Sequence, residues 1–178
     1  MTPRLRLPAL PLPVLRALVT GEVAAAAELV DFPLDSSTFA GDEHVLSLRY
    51  AQLQVDPTHE PWLLRAAVLQ ETGRVVGKGG FHAPPDRDGT VEIGYRIAAE
   101  ARGRGLATEL ATGLLHWASE QGAARCLASI RPDNLASLAL ARRLDFARTG
   151  EQIDEIDGLE WIFTRELDGT LPPYEAPR

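Results

Sequence analysis

The sequence predicts an α+β chain of mixed α/β layers, and three features of its residue order carry that prediction. Helical spacing dominates up to about Val55, three short apolar runs separated by turn residues follow between Trp62 and Ile97, and helix and strand patterns then alternate to a closing strand pair. Strands joined by hairpin turns do not make a doubly wound parallel sheet, in which a helical crossover must separate neighbours. At 178 residues with 45% hydrophobic content the chain can fill one full core and is short for two.

Leu5 to Leu7 opens the chain as a short strand. Pro13, with its fixed φ and missing N–H, suits the first turn of a helix from about Val14 to Thr20. An alanine-rich helix follows Gly21, and Glu43 to Val55 sets Val45, Leu46, Leu48, Leu53 and Val55 in a mostly helical rhythm. "WLLRAAVLQETGRVVGKGGFHA" reads as two strands joined through the polar turn Glu71-Thr72-Gly73-Arg74. "PPDRDG" turns the chain again, and "TVEIGYRI" is the third strand of the meander. Leu106, Leu110, Leu114, Trp117 and Ala118 then line one face of an amphipathic helix ending near Gly122. "RCLASIR" is a short strand. Pro132-Asp133 begins another helix, with Asp133 as its N-cap and Leu135, Leu138 and Ala139 on one face. "FARTGEQ" and "LEWIFTREL" are the closing strands. The prolines of "DGTLPPYEAPR" remove backbone donors, so a single domain is expected over residues 1–167 with 168–178 a proline-rich tail.

Charge and cysteine content exclude several functions. A net charge of −7 argues against a nucleic-acid binder, which concentrates positive charge to neutralise phosphates. The basic residues are arginines apart from Lys78, a bias that codon composition explains. Cys126 stands alone, so neither a disulfide framework nor a cysteine zinc cage can form, and a cytoplasmic address is the default. Arg16 and the prolines between Pro3 and Pro13 break the apolar N-terminus as a signal sequence. No stretch reaches the roughly 18 apolar residues of a membrane span, so a soluble chain without a membrane partner is expected.

The stretch "EIGYRIAAEARGRGLATEL" holds the most informative pattern. A strand that runs through "ARGRGLAT" into a helix leaves unpaired N–H groups at the helix N-terminus, where the dipole favours an anion. Gly103 and Gly105 allow positive φ and close approach of a diphosphate, Thr108 adds a hydroxyl, and Arg102 and Arg104 offset charge. A tight turn with solvated arginines is the competing reading. A Walker loop is excluded by spacing and the missing lysine, and a dinucleotide fingerprint by Thr108 where a third small residue belongs.

"RGRGLA", Arg102 to Ala107, resembles the acyl-CoA pyrophosphate motif (Q/R)xxGx(G/A) of the GNAT superfamily of N-acetyltransferases. "NLASLALARRLDF" is similar to that family's NxxSxxxxxxxGF element, and the element order is similar from about Leu5 to Leu167. Within the superfamily the glycine stretch and "DGLEWIFTREL" look most like the branch that acetylates ribosomal-protein N-termini (RimJ/RimL-like). The resemblance implies a mostly antiparallel sheet of about seven strands flanked by helices and splayed between the Glu92 and Cys126 strands. It implies acetyl-CoA as acyl donor, without a metal, and an amine acceptor on a protein N-terminus or small molecule. Ile97, Arg102, Gly103, Arg104, Gly105, Leu106, Ala107 and Thr108 would hold the cofactor, with Asn134 and Ser137 beside the pantetheine arm and thioester. The resemblance also implies a homodimer.

Two readings stand for several of these residues. Asn134 is also a natural N-cap, and Ser137 a first-turn serine bonded to its own backbone. Glu92 is the base candidate for taking the acceptor's proton; its other reading is a carboxylate that is solvated or paired with Arg96, which shares its strand face. An α-amine, with an ordinary pKa of about 7.7–8.0 against about 10.4 for lysine, asks less of that base. The family tyrosine that protonates the departing thiolate is replaced by Ala141, which leaves Ser137 as the nearest donor and raises the alternative of a non-catalytic acyl-CoA-binding module. Asp145 replaces the family glycine before Phe146, and an aspartate tolerates the left-handed backbone expected there. His44, His59, His82 and His116 lack metal-ligand spacing and read as surface or partly buried residues. Cys126 reads as a small buried hydrophobe, and Trp62, Trp117 and Trp161 as packing residues or walls of the acceptor site.

Overall fold

A computed structural model describes residues 2–35, 37–156 and 158–167, and the tail expected at 168–178 lies outside them. The order is β1 (Leu5–Arg6), α1 (Leu12–Val19), α2 (Val23–Glu28), α3 (Glu43–Val55), β2 (Leu64–Leu69), β3 (Val75–Phe81), β4 (Thr90–Ile97), α4 (Leu106–Glu120), β5 (Arg125–Ile130), α5 (Leu135–Arg143), β6 (Ala147–Asp154) and β7 (Gly158–Glu166). The seven strands form a mixed sheet ordered β1-β2-β3-β4-β5-β7-β6, in which only β4 and β5 run parallel. The α/β layers and the strand count agree with the sequence.

Strand alternation divides the core into two layers. Leu64, Ala66 and Val68 of β2 join Val14, Leu15, Leu46 and Leu53 of α1 and α3 on one side. On the other, Ala67 and Leu69 join Ile93 and Ile97 of β4, Leu106, Leu110 and Leu114 of α4, and Leu138 and Ala141 of α5. Any group on β4 thus faces either α3 or α4. Trp62 and Trp117 pack edge to face at 4.7 Å beside Phe81, and Trp161 lies under the Arg148 guanidinium at 4.1 Å.

The start of α5 corrects one expectation. Asn134, not Asp133, is the N-cap, since its Oδ1 accepts the Ser137 N–H at 3.1 Å, the N3 position of a helix beginning at Leu135. Asp133 is held instead by Arg131, 2.6 Å away. Leu135, expected on the buried face, is 74% exposed and Ala139 faces outward, while Leu138, Ala141 and Leu144 are buried. After α5 the chain turns through Asp145, whose φ of 56° is the left-handed conformation expected there. Replacing Asp145 by glycine removes the Cβ strain, worth roughly 1 kcal/mol for a non-glycine residue. Asp145→Gly should therefore raise the urea midpoint at unchanged m, and a fall in midpoint would show that the aspartate side chain stabilises the turn.

Candidate active site

A notch in the sheet organises the site. The β4–β5 ladder holds only from Thr90↔Arg125 through Glu92↔Leu127, yet β4 continues to Ile97 and β5 to Ile130. The facing edges of the two strands beyond Glu92 are therefore not paired with each other, and a chain of polar groups laid between them would find donors and acceptors there.

Below the notch, β4 leads through a one-turn helix, Ala99–Ala101, into the glycine loop. Gly103 and Gly105 both have left-handed backbone, φ 74° and 73°, and Gly105 is the N-cap of α4. A glycine at that cap has no side chain to offer, and among the described residues no side chain caps the first turn of α4, so its N–H groups point at the space in front of the loop. Two arginines brace the bend: Arg102 Nε donates to the Ile97 carbonyl at 3.1 Å, and Arg4 Nη1 to the Arg104 carbonyl at 3.0 Å.

That space is a cavity of about 610 Å³ lying between the loop, the end of β4 and the exposed flank of α5. Ile97, Arg102, Gly103, Gly105, Leu106, Ala107 and Thr108 line it, as do Asn134 and Ser137. Among the residues expected to hold the cofactor, Arg104 alone does not line it. Ala136 and Ala139, small and outward on α5, form part of the wall, which accounts for an alanine facing away from the core.

Asn134 spends its Oδ1 on the cap, which leaves its amide N–H₂ on the cavity side available as a donor. The Ser137 side chain neighbours the Tyr95 hydroxyl, a partner the sequence did not suggest; burial pushes the Tyr95 phenol up, and Ser137 partly offsets it. Tyr95 lines the same cavity from β4. It thereby brings a phenol to the side of the notch where Ala141, buried in the core, brings none.

Glu92 sits at the apex of the notch on the opposite face, toward α3. Its Oε1 accepts from Ser129 Oγ at 2.7 Å, and its Oε2 lies 3.4 Å from His82 Nδ1. The His82 bond, with help from Ser129 and the charge of Arg49, outweighs burial and holds the Glu92 carboxyl below the usual carboxylate range. Pairing with Arg96 does not occur, because Arg96 is drawn to Asp42 at 2.6 Å, beside Lys78 Nζ at 2.8 Å from the same oxygen. Neither His82 nor Ser129 stood out in the sequence; the signal available was their position, one at the end of β3 and one at alternate register with Cys126.

Cys126 is fully buried, and burial pushes its thiol far up, so it is no nucleophile at neutral pH. No group of three or more histidine, cysteine, aspartate or glutamate side chains among the described residues is placed to hold a metal ion. No helix among them is long and apolar enough to cross a membrane. The arrangement offers an anion cradle, a slot through the sheet, a pair of hydroxyls on one face of the slot and a carboxylate–imidazole pair on the other.

Comparisons with known proteins show the family and the fold. The family model described as an acetyltransferase (GNAT) domain matches residues 17–147, more than half of the chain. An uncharacterized N-acetyltransferase of Bacillus subtilis, YjdG, is 32% identical over 88 residues, 49% of this chain and 51% of that protein. The chain spans about half the length of the curated relatives it matches. Among solved structures, a Bordetella pertussis chain described in terms of the GnaT acetyltransferase family superposes with a TM-score of 0.65 at 24% identity, covering 93% of this chain and 97% of that one. RimL, a ribosomal L7/L12 alpha-N-protein acetyltransferase solved with coenzyme A, gives 0.64 at 18% identity, covering 94% and 96%. At these identities the structural likeness speaks for the fold.

Proposed function

The chain belongs to the acetyltransferase (GNAT) domain family, and from that premise we propose that it moves an acetyl group from acetyl-CoA to a primary amine by direct attack in a ternary complex. One observation carries the reading: the notch opens on the glycine cradle at one face and on Glu92 at the other. A diphosphate at the first turn of α4 aims its pantetheine arm along the cavity past Asn134, with the thioester reaching the slot between β4 and β5. The amine arrives from the α3 face. Its nitrogen attacks the thioester carbonyl carbon, the C–S bond breaks, and the sulfur leaves with the bonding pair.

Each face then has a proton to manage. Loss of the amine proton depends on Glu92, and the Ser137–Tyr95 hydroxyl pair lies where the departing sulfur needs a donor. A thiol of ordinary pKa near 8.5 is an adequate leaving group near neutrality, so the absence of a tyrosine at 141 does not forbid transfer. We favour an α-amine on a protein N-terminus as acceptor, in line with the ribosomal branch that the sequence resembles, because it deprotonates more readily than lysine. A buried, unpaired Cys126 suits a reducing, cytoplasmic setting.

The test is thiol release. With acetyl-CoA present, free thiol should accumulate when a peptide with a free α-amine is added, and not with the same peptide N-blocked. A small-amine panel run alongside reads the other acceptor class. Coenzyme A binding with no thiol release across the whole panel would identify a non-catalytic acyl-CoA-binding module.

A further inference from the structure

We propose that His82, not Glu92, receives the acceptor's proton, and that Glu92 is the positioning residue that holds the imidazole with its free nitrogen over the notch. The inference rests on the acetyl-transfer reading and assigns the proton within it.

The geometry comes from three strands and a helix. Register places His82, just past the end of β3, across from β4, with its N–H donating to the Glu92 carbonyl at 2.9 Å. On the other side Arg49 Nη1 and Gln52 Nε2 of α3 donate to the His82 carbonyl at 3.0 and 2.8 Å. The His82 backbone is fixed from both directions. Its ring then turns Nδ1 to Glu92, whose second oxygen is fixed by Ser129. An imidazole whose Nδ1–H faces a carboxylate keeps its lone pair on Nε2. Nε2 lies over Gly94: a Cβ built on that residue would stand 3.1 Å from it. Gly94 pairs with Gly80 of β3 but lies on the part of β4 that is not paired with β5, so the basic nitrogen overhangs the slot, and the missing side chain is what clears the room. The His82 side chain is half exposed and reachable by an acceptor.

Glu92 is poorly suited to take the proton itself. One of its oxygens accepts from Ser129, the other faces His82, and its carboxyl is held below the ordinary range, which makes it a weak base, whereas imidazoles as a class exchange protons near neutrality. The charged groups facing His82 are Glu92 from β4 and Arg49 from α3. In the step, the neutral amine forms the N–C bond, its proton passes to His82 Nε2, the C–S bond breaks with the electron pair on sulfur, the imidazolium returns its proton to solvent, and the thiolate takes a proton up from solvent. Products are the amide and coenzyme A thiol. The 3.4 Å separation of His82 and Glu92 should tighten once an acceptor is bound.

Rates measured against pH with saturating acetyl-CoA and an α-amino peptide decide it. His82→Gln should lower kcat about 100-fold or more, the usual scale of a general base, while the thermal shift given by coenzyme A stays at the wild-type value. The alkaline-rising limb of the wild-type profile should vanish in that variant. Glu92→Gln should keep a limb. Gly94→Ala, which crowds Nε2 without touching a charge, should also lower kcat at unchanged KM for acetyl-CoA. If His82→Gln stays within threefold of wild type and keeps its limb while Glu92→Gln loses it, Glu92 is the base and the proposal is overturned. An inactive wild type would instead overturn the acetyl-transfer reading.

Discussion

Arg102→Glu combined with Gly105→Val should abolish the stabilisation that coenzyme A confers, leaving equal melting temperatures with and without ligand. In the wild-type chain, ligand at about 100 times its Kd should add roughly 2.7 kcal/mol to the folded state. The effect has two sources. Valine at Gly105 meets a φ of 73°, which a β-branched residue does not adopt without strain, so the N-cap must move and the amides of the first turn of α4 lose their common aim. Glutamate at Arg102 releases the bond to the Ile97 carbonyl and puts a negative charge against the diphosphate. The strained variant will also be less stable by itself, so the measured quantity is the ligand-induced shift, not the melting temperature. Thr108→Asp separates the two effects: an acidic residue in the first turn stabilises the free helix yet repels a bound phosphate. It should melt no lower than wild type without ligand and show a reduced shift with it. An undiminished shift in both variants would mean that coenzyme A binds elsewhere.

This loop was legible in the sequence because everything that makes it is local. Two glycines, an apolar helix period starting at Leu106 and a strand before them fix the backbone and its charge preference without reference to distant residues. Asp145 was legible for the same reason, since a helix that must reverse into a strand needs one left-handed residue. The cap of α5 was not, because Asp133 and Asn134 are both good caps and the partner N–H decides between them. The partners of Glu92 lay further out of reach. Alternation gave its face correctly, but Arg96 on that face was claimed by Asp42 from the loop before α3, and His82 reached Glu92 only through the β3–β4 register. The length of the "PPDRDG" turn sets that register, and its hydrogen bonds, Asp86 to Asp88 and Thr90, are not readable from hydropathy. The notch is likewise a property of where a ladder stops.

Glu109→Gln and Glu109→Ala should each cost about 3–5 kcal/mol, the scale for breaking a buried ion pair and a large part of a domain's stability of about 5–15 kcal/mol. Glu109 is 7% exposed on α4 and gathers the N-terminal segment onto it. Thr2 Oγ1 and the Arg4 N–H donate to its Oε1 at 2.5 Å, the Leu5 N–H at 3.2 Å, and Arg4 Nε to its Oε2 at 2.6 Å. An amide in its place turns one oxygen into a donor facing donors, and alanine removes the acceptor of the Arg4 N–H and Nε, while the Leu5 N–H keeps Thr2 Oγ1 and the Thr2 hydroxyl keeps the Leu5 carbonyl. The change is pH-dependent with a definite sign. Burial alone would push the Glu109 carboxyl up, but the bonds from Thr2 and Arg4 and the Arg4 charge together hold it below its ordinary value. The unfolded chain therefore binds the proton more readily than the folded one, so the contribution is full above the unfolded pKa of about 4.3 and is lost as pH falls through the folded value. The gap between wild type and Glu109→Gln in urea should accordingly be widest at pH 7 and narrow below about pH 4. A gap under about 1 kcal/mol at pH 7 would show that the N-terminal segment finds other acceptors. Because Arg4 also braces the Arg104 carbonyl, the same variants should loosen the phosphate loop, and coenzyme A should bind them more weakly than it binds Asp145→Gly, whose change lies at the far end of α5.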